Sequence, residues 1–260
     1  MKPTALLLFA AAAAVSLAVA APARLPHTAA AVAPQPDPKD AEPLPPAPKA
    51  YPDSRHIENP NVKGLILEVY PDKKTKRVLI ASEVCLREGN LEVFLCKKNT
   101  KEHEAIVRAD FDARMIHELL LLAGADAGKP TQFINPKTME AEYKPATGTK
   151  IRVWVHYRKD GKLHTHPAHE WIWNKTKKRP LEHDWVFAGS VLIKDPEDPK
   201  APPFYAANSG ELISISNFPF SMLEIPVEIS KDDDSLLYEA KTDRIPPLFS
   251  KVWVILEPIK

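Results

Sequence analysis

Apolar and polar residues alternate strictly over 151–157, placing Ile151, Val153, Val155 and Tyr157 on one face and Arg152, Trp154 and His156 on the other. That two-residue period is the mark of a half-buried strand. The run leads into Lys159-Asp160-Gly161-Lys162, whose Asp-Gly pair suits a type I′ hairpin turn. Shorter β-branched runs bounded by charge or turn residues predict strands over 64–70, 77–81, 91–95 and 105–107. Further strands are expected within 185–193, 204–207, 212–216, 236–239 and 252–256. One segment follows the helical period instead. Asp112 is placed to cap it, residues 113–122 fill it, and Gly124 ends it in a left-handed C-cap. Ala113, Ile116, Leu119, Leu120 and Ala123 make its buried stripe, with Arg114 and Glu118 paired on the wet side. One helix against many strands predicts an α+β domain, predominantly antiparallel β-sheet with one clear α-helix at about residues 112–123.

The pattern changes towards the N-terminus. Lys2 precedes a nearly unbroken apolar run over 6–20, and Ala18-Val19-Ala20-Ala21 is a small-residue cleavage pattern. Residues 1–21 therefore read as a cleaved, bacterial-type export signal. The apolar run is shorter than the about 20 residues of a membrane span, and no transmembrane segment is expected in the mature protein. Residues 22–55 hold ten of the 27 prolines and few branched or aromatic side chains, which predicts an extended, disordered tether. Residues 56–260 are long enough for a single globular domain with a sizeable core. The expected location is periplasmic or secreted.

Charge and motifs narrow the function classes. Lys plus Arg (35) almost cancels Asp plus Glu (34), so no global field draws the chain to nucleic acid. The sequence has no G-x-S-x-G, H-E-x-x-H, paired C-x-x-C or C-x-x-C-H, the signatures of several hydrolases, metal sites and haem attachment. The stretch from Gly124 to Pro130 resembles a phosphate loop but is one residue short, ends in Pro and follows a helix. No nucleotide is expected.

Two clusters could carry chemistry. With Gly89-Asn90 as a hairpin turn, Cys85 pairs with Phe94, and Cys85 and Cys96 share a face diagonally, about 7–8 Å apart. A disulfide prefers Cα atoms within about 6.8 Å, whereas an exported compartment oxidises thiols that can meet; bridge and free thiols both stay open. His103 alternates with Ala105 and Val107 and is expected to point inwards, towards His117 beside the helix stripe. Cys85, Cys96, His103, Glu104 and His117 are thus candidate catalytic residues, and His103 and His117 candidate ligands for a transition metal such as zinc. The competing reading is a pair of hydrogen-bonded core histidines. The second cluster is His164, His166 and His169. His-x-His on a strand puts both imidazoles on one face, suited to zinc, copper or nickel. In strict register from Asp160-Gly161 that face carries Val153, Val155 and Tyr157; a one-residue bulge would move it to Trp154 and His156. Asn217-Phe218-Pro219-Phe220 reads as an aromatic loop or a buried turn.

Several of these segments together resemble the YdjY-like family, in particular its secreted planctomycete members. The resemblance rests on the two cysteines around Glu88-Gly89, on Thr100-Lys101-Glu102-His103-Glu104, and on His117 ahead of Leu119 to Leu122. It continues through His183-Asp184-Trp185-Val186-Phe187-Ala188-Gly189-Ser190 and the segments 213–218 and 225–230. The resemblance implies no established activity. Some members are described as ferredoxin-like, but two cysteines are too few for an all-cysteine iron–sulfur cluster. The expected function is a non-catalytic binding or accessory module of the cell envelope, acting on an envelope component or a small ligand. The alternative is a metal- or thiol-dependent envelope enzyme or redox accessory using the His/Cys/Glu cluster.

Overall fold

The computed structural model describes residues 42–134, 139–198, 200–229 and 237–259. The expected export signal and the first part of the expected tether lie outside them. The chain opens with β1 (Arg55–Glu58), β2 (Leu65–Val69), β3 (Lys76–Val84), β4 (Val93–Lys97) and β5 (Ala105–Ala109), then helix α1 (Ala113–Leu122). After α1 come β6 (Gln132–Ile134), β7 (Ala141–Lys144), β8 (Lys150–Lys159) and β9 (Lys162–Pro167). Short strands follow: β10 (Ile172–Asn174), β11 (Arg179–Pro180), β12 (Trp185–Phe187), β13 (Leu192–Ile193) and β14 (Phe204–Tyr205). The last are β15 (Ile213–Ser214), β16 (Leu223–Glu224), β17 (Tyr238–Ala240) and the nine-residue β18 (Lys251–Ile259).

The main sheet runs β3-β18-β8-β12-β16-β15-β4-β5 and returns to β3, because Val84 pairs with Val107 of β5. Eight strands close into a barrel. The fold is therefore mainly β, with 40% of residues in strands and 9% helical, and the expected α+β class is corrected. Alternation reports which side chains face inwards but not whether the sheet's two edges meet; closure removes both edges. The same alternation sorts β18. Val252, Val254 and Leu256 join the main core, while Trp253 and Ile255 face outwards with Ile66 and Leu79.

A strap covers that outer apolar face. Residues 42–54 were expected to belong to a free tether, yet Leu44 and Ala47 pack on Ile66, Leu79, Trp253 and Ile255. Trp253 Nε1 donates to the Pro45 carbonyl at 2.8 Å, and Arg77 Nη2 to that of Pro48 at 3.2 Å. Glu68, fully buried, accepts from the Ala50 N–H at 2.7 Å and pairs with Arg77. Proline composition did predict an extended chain. The carbonyls of that chain find side-chain donors on the barrel, and the ordered fold begins upstream of residue 56.

Local signals held where they were strong. Asp112 caps α1 by accepting from Arg114 N, and Gly124 follows at φ 87°. Ala113, Ile116 and Leu120 are buried; Leu119 is partly buried, and Leu121 and Leu122 are exposed. Arg114 turns to Asp112 instead of Glu118. Asp160 and Gly161 take φ 52° and 72°, as a type I′ turn requires.

Candidate functional site

The cysteines lie where the barrel closes. β3 and β4 were expected to form a hairpin through Gly89-Asn90. Instead β5 lies between them, antiparallel to β3 and parallel to β4, with Cys96 opposite Arg108. Gly89 and Leu91 bond to the β17 segment, through Ala240 N and the Tyr238 carbonyl. Cys85 and Cys96 are both free thiols. The Cys85 N–H donates to the Ile106 carbonyl at 2.9 Å and its thiol to the Ala105 carbonyl at 3.1 Å. Hydrogen bonding to Cys96, and then burial, push the Cys85 thiol far above its ordinary range. A thiol so held is a poor nucleophile at neutral pH.

The Thr100–Glu104 block is a turn, not the start of a strand, so His103 does not point inwards. β5 begins at Ala105, the period stops there, and the His103 side chain is 78% exposed. Lys101 is the residue that turns in. Its Nζ lies 2.9 Å from Glu104, 3.4 Å from Glu92 and 3.5 Å from Glu211, and 4.4 Å from the centre of the Phe218 ring. Burial lowers the pKa of this ammonium, but the three carboxylates outweigh it and the net direction is upwards. Glu102 pairs with Arg108 at 2.7 Å, and Arg108 Nε reaches Glu83 at 2.9 Å. Sequence reasoning missed Lys101, Glu92 and Glu211; a lone Lys in a charged turn gives no sign of facing inwards.

His117 stays on α1, away from the exposed turn that carries His103. Its Nδ1 is 2.8 Å from the Tyr205 hydroxyl, which itself donates to the Gly189 carbonyl at 2.8 Å. The hydroxyl proton is committed, so Nδ1–H must be the donor, and neutral His117 is the Nδ1–H tautomer. Burial lowers its pKa. The ring packs edge-on to Phe187 and Tyr205. Gly189, at φ 84°, packs against Ala127, where a Cβ would sit 2.9 Å from the Ala127 Cβ. Ser190 donates to the Phe220 carbonyl and accepts from Ala207 N.

The second histidine cluster divides. β9 pairs with β8 in strict register, His166 opposite Val155 and His164 opposite Tyr157, so no bulge moves them to the Trp154 face. Tyr157, His164 and His166 form a ladder of rings, with centroids 5.5 Å and then 5.9 Å apart. His166 Nδ1 approaches Glu170 at 3.4 Å, and Glu170 approaches Arg244 at 3.5 Å. His169 is elsewhere, with Nε2 2.9 Å from the His183 carbonyl and its ring on Trp185. Burial lowers its pKa. Among the described residues no group of three His, Cys, Asp or Glu side chains is placed to hold a metal ion.

Asn217-Phe218-Pro219-Phe220 divides between a buried anchor and an open surface. Asn217 donates to Glu224 and to the Ile225 and Val227 carbonyls, and accepts from Ile229 N. Glu224 is fully buried and accepts also from Thr131 N at 3.0 Å; burial raises its pKa. Above it, Phe133, Ile134, Val191, Pro219 and Phe220 line a shallow cleft of about 400 Å³. Ile193 and Phe204 lie opposite one another in the β13–β14 ladder and extend the apolar surface, while Leu192 lies opposite Tyr205 on the ladder's other face. Ile134, Leu192, Ile193, Phe204 and Phe220 are each 40–64% exposed.

No curated protein and no solved structure matches the chain. The family model described as the YdjY domain matches residues 69–257, a span from the end of β2 to late β18 that takes in the Lys101 cage, His117 and both cysteines. The chain belongs to the YdjY domain family.

Proposed function

We propose that the protein is an exported, non-catalytic binding module of the cell envelope, and that it holds an apolar segment of another envelope protein on the surface around Phe220 and Phe204. One observation carries this reading. Four large apolar side chains, Ile134, Ile193, Phe204 and Phe220, stand exposed on neighbouring hairpins and a loop, and such patches on soluble domains mark interaction sites. Beneath them the buried Asn217–Glu224 bonds pin the loop, so the surface is held in shape. The groups that could do chemistry have structural engagements instead: Cys85 with Ala105 and Cys96, His117 with Tyr205, and His169 with His183. Export is supported by the Lys2, 6–20 and Ala18–Ala21 pattern.

Photo-cross-linking tests the proposal. A photo-reactive phenylalanine analogue placed at 204 or 220 of the full chain, in its native host, should give one discrete adduct in the envelope fraction. Mass spectrometry should locate the link in an apolar segment of the partner, and Ile193→Asp should abolish it. An adduct that also forms from position 142, or that persists with Ile193→Asp, would sink the assignment, as would no adduct at all.

A further inference from the structure

We infer that the cleft beside the β8–β9 turn is a binding site for a small organic anion, one that presents a carboxylate or phosphate group. The cleft has a volume of about 430 Å³ and shares no lining residue with the cleft around Phe220. Four segments meet there: the start of the strap, the chain just after β3, the β8–β9 turn and the loop that leads into β18. Its walls carry Arg87, Arg158, Lys159 and Lys251 against Glu42 and Asp160. That is a local excess of positive charge in a chain whose acidic and basic residues almost cancel.

Bonding inside the fold accounts for some of these cations and not for others. Lys251 pairs with Glu83. Lys159 Nζ donates to the Asp243 carbonyl at 2.9 Å, and Arg87 Nη2 to the carbonyls of Thr242 and Ile245 at 3.0 and 3.2 Å. A carbonyl satisfies a donor but does not neutralise a charge, so Arg87 and Lys159 keep theirs. Arg87 is the more informative of the two. It is half-buried, it has no carboxylate partner among the described residues, and its Nε is buried without a hydrogen-bond partner. An orphaned donor on a half-buried cation is costly unless an anion compensates it. Nη1 bonds to nothing among the described residues, which leaves it for a ligand.

The chain already places one carboxylate in the cleft. Glu42 Oε2 stands 3.7 Å from Arg158 Nη1, too far for a hydrogen bond, and the Glu42 side chain is 60% exposed. So loose and wet a contact contributes little. An incoming carboxylate or phosphate can displace Glu42 and take Arg158 in a bidentate grip. The rest of the wall favours an organic ligand over a bare ion. Pro43, Pro247 and Leu248 give the cleft apolar sides, and its volume is that of a small-molecule site. The loop behind it is held in shape. Phe249 takes a left-handed φ of 66°, its N–H donates to the Val84 carbonyl at 2.9 Å, and Val84 N donates to the Ser250 carbonyl at 3.0 Å. Non-glycine residues held in that region cluster at ligand clamps.

Isothermal titration calorimetry on the full chain, at constant ionic strength, tests this with citrate as the carboxylate probe and glycerol phosphate as the phosphate probe. At least one should bind at a single site per chain, and the one that binds identifies the anionic group. Arg87→Gln and Arg158→Gln should each weaken that binding by about tenfold or more. Glu42→Gln should tighten it, because the competing carboxylate is gone; a misfolded variant cannot produce a gain. Lys74→Gln, in the separate basic cluster with Lys76 and Arg152, should leave the affinity unchanged. Binding of neither probe would overturn the inference. So would an affinity indifferent to Arg158→Gln, one that falls as far with Lys74→Gln, or one that Glu42→Gln fails to raise.

Discussion

The indole of Trp253 donates to the carbonyl of Pro45, 208 residues upstream, and so ties β18 to the strap over residues 42–54. Trp253→Phe keeps most of the ring's packing and removes the bond. The expected loss is about 1 kcal/mol of stability, with faster proteolysis inside residues 42–54. Limited proteolysis followed by mass spectrometry reads this directly. An unchanged cleavage pattern would mean that Arg77 and Glu68 hold the strap without help from Trp253.

The two histidines of the family block should respond differently to truncation. His103 is exposed in a turn, and His103→Ala should change stability by no more than about 0.5 kcal/mol. His117→Ala leaves Tyr205 without its donor and opens space against Phe187, an expected loss of about 1–3 kcal/mol. Urea denaturation compares them, and the opposite ranking would contradict their placement.

Lys101→Met should leave Glu92, Glu104 and Glu211 facing one another without their shared cation. A loss of about 2–3 kcal/mol is expected, below the full cost of breaking a deeply buried pair because the lysine is partly exposed. The raised Lys101 pKa fixes the alkaline side: its contribution is complete below the ordinary 10.5 and is lost as pH rises through the raised value. Melts of parent and Lys101→Met across an alkaline pH series would show that loss.

Glu224 predicts a slope of the same sign at lower pH. Its folded pKa lies above the ordinary 4.5, so between the two values the folded state binds more protons than the unfolded state. Stability from this group is present below 4.5 and declines as pH rises from there to the folded pKa. Glu224→Gln should flatten that part of the stability–pH curve relative to the parent. A parent and variant with parallel curves from pH 4 to about 8 would show that Glu224 does not titrate abnormally.

Cys85 and Cys96 should remain thiols under oxidising conditions. The Cys85 thiol is held by the Ala105 carbonyl and by Cys96, and its raised pKa leaves little of the thiolate that oxidation needs. Alkylation of denatured, unreduced protein should add two labels per chain by intact mass. Recovery of unlabelled chain 2 Da lighter than the reduced form would reveal a bridge and a rearranged seam, since forming S–S removes two hydrogens.

Local chemistry was readable from sequence, and long-range pairing was not. The Asp112 cap, the Gly124 stop, the Asp160-Gly161 turn and the inward face of Val153 and Val155 each depend on neighbours a few residues away. The insertion of β5 between β3 and β4 does not. Gly89-Asn90 is a credible hairpin turn, and only the competing bonds from β17 to Gly89 and Leu91 overrule it. The strap was hidden for a similar reason. Its prolines signal an extended chain, but the donors that dock it, Arg77 and Trp253, lie far along the sequence. At the candidate site, His117 was placed correctly beside the helix stripe, whereas His103 was extrapolated one turn too far back from β5.

β18 has a place in the life of the chain as well as in its architecture. It is the last strand of the described residues, and it stands between β3 and β8, pairing with both. Until its last residues leave the ribosome, those two strands have no common neighbour and the ring stays open. Closure of the barrel therefore waits for residues 251–259 to emerge, whatever follows them. A ribosome stalled before residue 251, or a stop codon there, would release an unclosed sheet with Val78, Ile80, Val153 and Val155 uncovered, a natural target for chaperones and proteases.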